Sequence, residues 1–119
     1  MAESKQYIVQ NQEKGKVMIS EDVVAAIVLH AMSEIDGFAG VNTKHDLVER
    51  IGKSWGKGIK VVITDENELS IECNIHVFYG CSVMAVAKEI QQNVVTELES
   101  VTGAKVANVN VNVCGIIRK

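Results

Sequence analysis

The sequence predicts an α+β domain, with a single mixed, mostly antiparallel sheet of three to four strands and two long helices on one face. Three observations carry this. The tail Val106-Ala107-Asn108-Val109-Asn110-Val111-Asn112-Val113 alternates apolar and amide side chains with a period of two, the repeat of a β-strand. Residues 69–79 repeat the division, with Leu69, Ile71, Cys73, Ile75, Val77 and Tyr79 on one face and Ser70, Glu72, Asn74 and His76 on the other. Two further segments place apolar residues at three- and four-residue steps, the spacing of amphipathic helices. A strand with one dry and one wet face belongs to a sheet covered on one side only. Two helices are enough to cover it.

Taken in order, residues 1–14 are rich in Glu, Gln, Lys and Asn without a sustained period, and are expected to form a mobile N-terminal arm. Residues 15–119 are expected to be a single domain. Gly15-Lys16-Val17-Met18-Ile19 reads as a short strand ending at Ser20, an N-cap residue followed by Glu21 and Asp22 where the helix dipole favours acids. Val23, Val24, Ile27, Val28, Ala31 and Ile35 then mark the core face of a helix that Gly37 stops. Ala25, Leu29 and Met32 are expected on its other side, giving more apolar width than one core face needs. Residues 36–58 hold five glycines and read as irregular, with Asp46-Leu47-Val48-Glu49 opening a short helix. A hairpin follows over residues 59–79, turning at Asp65-Glu66-Asn67-Glu68. Ser82 caps the second long helix, which carries Val83, Val86, Ala87, Ile90, Val94, Leu98 and Val101 and closes at Gly103. The order is β-α-(short α)-β-β-α-β. It leaves the strand order open, a ferredoxin-like arrangement included.

At 119 residues the chain can bury a core without staples, and with aromatics at only 4% that core is built of valine and isoleucine. A formal charge of −3 argues against an obligate polyanion binder. The wet face offers Asn, Ser, Glu and His rather than the exposed aromatics of a nucleic-acid platform, so no nucleic-acid partner is expected. No apolar run reaches the roughly 18 to 20 residues needed for a bilayer span, and the polar start lacks the apolar stretch of a signal peptide. The expected location is the cytoplasm.

The sequence holds no G-x-G-x-x-G, no phosphate-binding G-x-x-x-x-G-K, no C-x-x-C and no H-E-x-x-H. Gly52-Lys53-Ser54 ends like a phosphate loop, but Leu47 stands where its first glycine is required. Cys73 and His76 are three apart on a strand and so point to opposite faces, which prevents a shared metal. Cys73 reads as a small core hydrophobe, His76 as a solvated residue and Cys81 as a loop thiol just ahead of a helix. The reading is therefore of a chain with no catalytic, metal or cofactor-binding residues. Lys44, Arg50, Lys53, Lys57 and Lys60, interleaved with Leu47, Val48, Ile51 and Trp55, form a basic and apolar stretch suited to a membrane surface or an acidic partner. The apolar members also suit a lid on the core. Ala25, Leu29, Met32, Arg50, Lys53, Trp55 and Lys57 together are the candidate interaction surface.

Several segments resemble the alkaline-shock/general-stress family of bacterial envelope stress response proteins. They are Gly15 to Val24, Glu34-Ile35-Asp36-Gly37-Phe38-Ala39-Gly40, Gly58-Ile59-Lys60-Val61, His76-Val77-Phe78-Tyr79-Gly80, Val86 to Val94, Thr102-Gly103 and Val109 to Ile116. The likeness covers about residues 15–116 in order. Asn42-Thr43-Lys44-His45 departs from it, where relatives often run glycine-rich, and the three cysteines look particular to this chain. The resemblance implies a small cytoplasmic protein without an established catalytic site. It also implies self-association and, in some members, attachment to the inner face of the membrane through a separate anchor protein. The expectation is a non-enzymatic scaffold of the envelope or alkaline stress response, a homo-oligomer that binds a membrane-linked partner. The alternative is a regulator tied to lipid or fatty-acid metabolism, binding a small apolar ligand beside Trp55 or an enzyme partner.

Overall fold

The computed structural model describes residues 7–41 and 58–118. The chain runs β1 (Tyr7–Gln12), β2 (Gly15–Ser20), α1 (Glu21–Ser33), β3 (Phe38–Val41), β4 (Ile59–Ile63), β5 (Glu68–Phe78), α2 (Val83–Thr102) and β6 (Lys105–Ile117). The architecture is α+β, as the periodicities predict.

β5 organises the main sheet because, among the described residues, it alone is bonded along both edges. β6 runs parallel to it along its whole length, from Glu68 against Lys105 to Phe78 against Ile117. The other edge is shared end to end by two antiparallel strands: β4 pairs over Leu69 to Cys73, and β3 pairs at Ile75 and Val77. Leu69, Ile71, Cys73, Ile75 and Val77 are fully buried on one face of β5, where they join Val24, Val28, Ala31, Ile90, Val94 and Leu98 of the two helices. The intervening residues of β5 are only half-buried, so the sheet has one covered and one open face.

The caps act as the sequence indicates. The Ser20 hydroxyl accepts from the Val23 N–H at 3.4 Å, and the Ser82 hydroxyl accepts from the Ala85 N–H at 3.3 Å. α2 ends at Gly103, whose φ of 76° is left-handed and whose N–H donates to the Glu99 carbonyl. A side chain at Gly37 would be excluded twice, since φ is +96° and a Cβ would lie 2.8 Å from Val86 Cγ2.

Four expectations change. Residues 7–12 of the expected mobile arm form β1, with Ile8 fully buried. The strand over Gly15–Ser20 pairs with β1 as a separate two-stranded sheet and takes no part in the main one. Phe38–Val41, within the segment expected to be irregular, is a short strand. The fourth change concerns the tail, where two bulges break the strict period of two. Val106 faces Leu69 and Asn108 faces Ser70, so Ala107 is expelled from the dry face to which alternation assigned it. Cys114 is passed over in the same way between Val113 and Gly115. The longest pairing in the sheet is also parallel, which follows from α2 crossing over between β5 and β6. The expected short helix near residues 46–55 lies outside the described residues.

Candidate interaction surfaces

Of the candidate residues, Leu29 is on the surface, with 39% of its area exposed. Ala25 and Met32 are not: they are 2% and 0% exposed, and they join Val24, Val28 and Ala31 in one buried stripe. The expectation that they face away from the core is corrected. The core face of α1 is turned about one residue from the expected one, leaving Val23 exposed. The cause is that α1 packs against α2, β4 and the β1–β2 hairpin, so more than one flank of it is covered. Arg50, Lys53, Trp55 and Lys57 lie outside the described residues.

The hairpin, hidden from the sequence reading, is held by the buried Ile8, by Gln10 Nε2 donating to the Thr102 carbonyl at 3.4 Å, and by Asn67. Asn67, in the turn between β4 and β5 with φ 61°, donates from Nδ2 to the Val9 carbonyl at 3.0 Å and accepts the Val9 N–H at 3.2 Å. Asparagine tolerates the left-handed backbone and carries both a donor and an acceptor, so it fits this place twice over. The hairpin keeps apolar side chains at the surface: Tyr7 and Met18 project from its outer face, and Val17 is half-exposed.

The open face of the main sheet is a hydrogen-bonded polar surface. Ser70 Oγ donates to Asn108 Oδ1 at 2.7 Å, and Asn112 Nδ2 lies 3.0 Å from Glu72 Oε2 and 2.9 Å from Asn74 Oδ1. These side chains satisfy one another, which suits a docking or solvated surface. His76 lies flat over Gly115, where a Cβ would come within 2.6 Å of its Nδ1, and that buried Nδ1 has no hydrogen-bond partner.

The thiols separate as their positions dictate. Cys73 is buried on the dry face, and burial first, with the Glu72 carboxylate second, pushes its pKa up to about 12. Such a thiol is inert at neutral pH. Cys81 and Cys114 are exposed and unpaired. Among the described residues no three His, Cys, Asp or Glu side chains converge as metal ligands. On the helix layer, Glu34, Ile35, Glu89, Gln92, Asn93 and Thr96 line an open groove of about 400 Å³. Its amide is used structurally: Asn93 Nδ2 donates to the Ala31 carbonyl at 2.7 Å, tying α2 to the end of α1. Among the described residues no helix is long and apolar enough to cross a membrane.

The edge of β6 and the fastening by Asn67 are the features that sequence reasoning did not single out. The first had a visible signal, an uncharged run from Val106 to Ile117 between Lys105 and Arg118. The second depends on a contact across 58 positions of sequence and had none.

Comparison with known proteins agrees with the resemblance. The chain is 35% identical over 105 residues to the uncharacterized protein YqhY of Bacillus subtilis (strain 168), covering 86% of this chain and 77% of that one. It is 31% identical over 111 residues to the uncharacterized protein Spy1614 of Streptococcus pyogenes serotype M6, covering 89% and 91% respectively. No solved structure matches it. The model of the ASP23 family, described as having a cell envelope-related function, matches residues 9–118. The chain belongs to that family.

Proposed function

We propose that this chain is a non-enzymatic scaffold of the bacterial envelope stress response, working by self-association and by docking to a membrane-linked partner at the inner face of the membrane. The observation that carries the reading is where the chemistry lies. The one strongly shifted thiol is sealed in the core, and Ser70, Glu72, Asn74, Asn108 and Asn112 of the open sheet face spend polar groups on one another. Meanwhile Met18, Val23, Leu29, Tyr79 and Ile116 remain at the surface of a 13.0 kDa chain. Apolar side chains kept at the surface, together with a hydrogen-bonded polar face, support the reading of a docking module.

Cell fractionation with vesicle flotation tests this. The tagged chain sediments with membranes from the native bacterium, whereas the purified chain alone does not float with vesicles of bacterial lipid. A chain found wholly in the soluble fraction of unstressed and alkali-stressed cells refutes the membrane-linked role. A purified chain that floats by itself refutes the need for a partner.

A further inference from the structure

We infer that the free edge of β6 is the site at which a second copy of this chain docks, the two β6 strands pairing antiparallel about a two-fold axis at Asn110. The inference rests on the self-association proposed above and assigns it a surface.

The backbone directions can be read from the ladder. The N–H groups of Asn74 and Phe78 donate to Gly58 and Gly37, so the even residues of β5 bond toward β4 and β3. The Tyr79 N–H donates to the Ile117 carbonyl, so the odd ones bond toward β6. With Asn110 opposite Glu72 and Asn112 opposite Asn74, the asparagines turn their backbone groups to β5. Val109, Val111 and Val113 therefore turn theirs outward. The Val109 carbonyl confirms the direction by accepting from Gln91 Nε2 of α2 at 2.9 Å, which leaves it a second lone pair. No strand among the described residues pairs with this edge.

An edge strand is normally blunted by charge, proline, shortness or bulges. β6 is bulged at Ala107 and Cys114, but between those points Asn108 to Val113 runs in unbroken register against β5. The strand is long, at Lys105–Ile117, no charged side chain lies between Lys105 and Arg118, and the whole chain contains no proline.

The occupant follows from symmetry. A two-fold antiparallel pair sets residue i against j and j against i, so like side chains meet wherever the sequence about the axis is palindromic. Within the regular stretch about Asn110 it is: Val109 meets Val111 and Asn108 meets Asn112. Val109 and Val111 are also the residues with outward backbone groups, so they form the pairs that exchange N–H···O=C bonds. Asn110 then faces its own copy in a pair that shares no backbone bonds. Asparagine lies against asparagine on the polar face. On the helix-covered face the half-buried Val111 of each copy meets Val109 of the other. No like charges are opposed anywhere along the contact.

Two variants test this on the full chain, alongside the wild type in sedimentation velocity. With Cys81 and Cys114 replaced by serine, Asn110→Cys is expected to form a dimer cross-link under mild copper-phenanthroline oxidation. Paired Cα atoms of this kind sit about 4.5 Å apart, within disulfide range. Asn110→Lys sets two ammonium groups against each other on an otherwise solvated site, and is expected to weaken dimerisation about ten-fold or more. A wild type that associates while Asn110→Lys associates equally well, or while Asn110→Cys fails to cross-link, overturns the β6 assignment and leaves self-association standing. A wild type that is monomeric throughout overturns both.

Discussion

Replacing Asn67 should unfasten the N-terminal hairpin, and the size of the effect can be worked from its two bonds. Asn67→Gly keeps the left-handed backbone at φ 61° but removes both contacts to Val9, at 3.0 and 3.2 Å. At about 1 kcal/mol net for each part-buried bond, that is about 2 kcal/mol. Asn67→Ala loses the same bonds and must also hold a Cβ in the left-handed region, adding about 1 kcal/mol. The order Asn above Gly above Ala inverts the usual one, in which Gly is the worse substitute by about 0.5 to 1 kcal/mol. Urea unfolding of the three proteins measures the series, and amide hydrogen exchange at Val9 locates it. An alanine variant as stable as the glycine one, or both within about 0.5 kcal/mol of wild type, would refute the fastening.

In the native protein Cys81 and Cys114 should react with a thiol reagent within minutes, and Cys73 only after unfolding; early reaction of all three would contradict its burial. Because the folded Cys73 thiol is raised to about 12 from an ordinary 9.0, the unfolded chain ionises first. Its contribution to stability is therefore complete below about pH 9 and declines between about pH 9 and 12, with a slope approaching 1.4 kcal/mol per pH unit. Cys73→Ala should lower stability but flatten that decline in urea melts. Gly37→Ala should cost about 2 to 4 kcal/mol, combining backbone strain with the clash against Val86. Leu29→Glu should leave the urea midpoint nearly unchanged, and a lower midpoint would place Leu29 in the core. Fatty acids should give no saturable change in Trp55 fluorescence, and a saturable one would favour the lipid-regulator alternative over the scaffold.

What was legible in the sequence was whatever short-range pattern controls. The alternation from Leu69 to Val77 corresponds to β5, although Tyr79 lies past its end and is exposed, and Ser20, Ser82 and Gly103 mark helix ends at the positions where the caps form. Long-range pairing was less so. Tyr7–Gln12 has too few apolar residues to announce a strand, and only its pairing with Gly15–Ser20 and the grip of Asn67 make it one. The tail showed its period of two but not its bulges, because Ala107 and Cys114 are extra residues only relative to β5. Helical periodicity found α1 but set its face about one residue away, since packing on several sides decides which flank is buried. For the interaction surface, Leu29 could be read from sequence, whereas Ala25 and Met32 could not be told from surface residues by spacing alone.

Sedimentation velocity of the purified wild-type chain across a wide concentration series tests the central claim most directly. The account predicts a concentration-dependent shift from the 13.0 kDa chain to species of at least twice that mass. A single 13.0 kDa species at every concentration would contradict it.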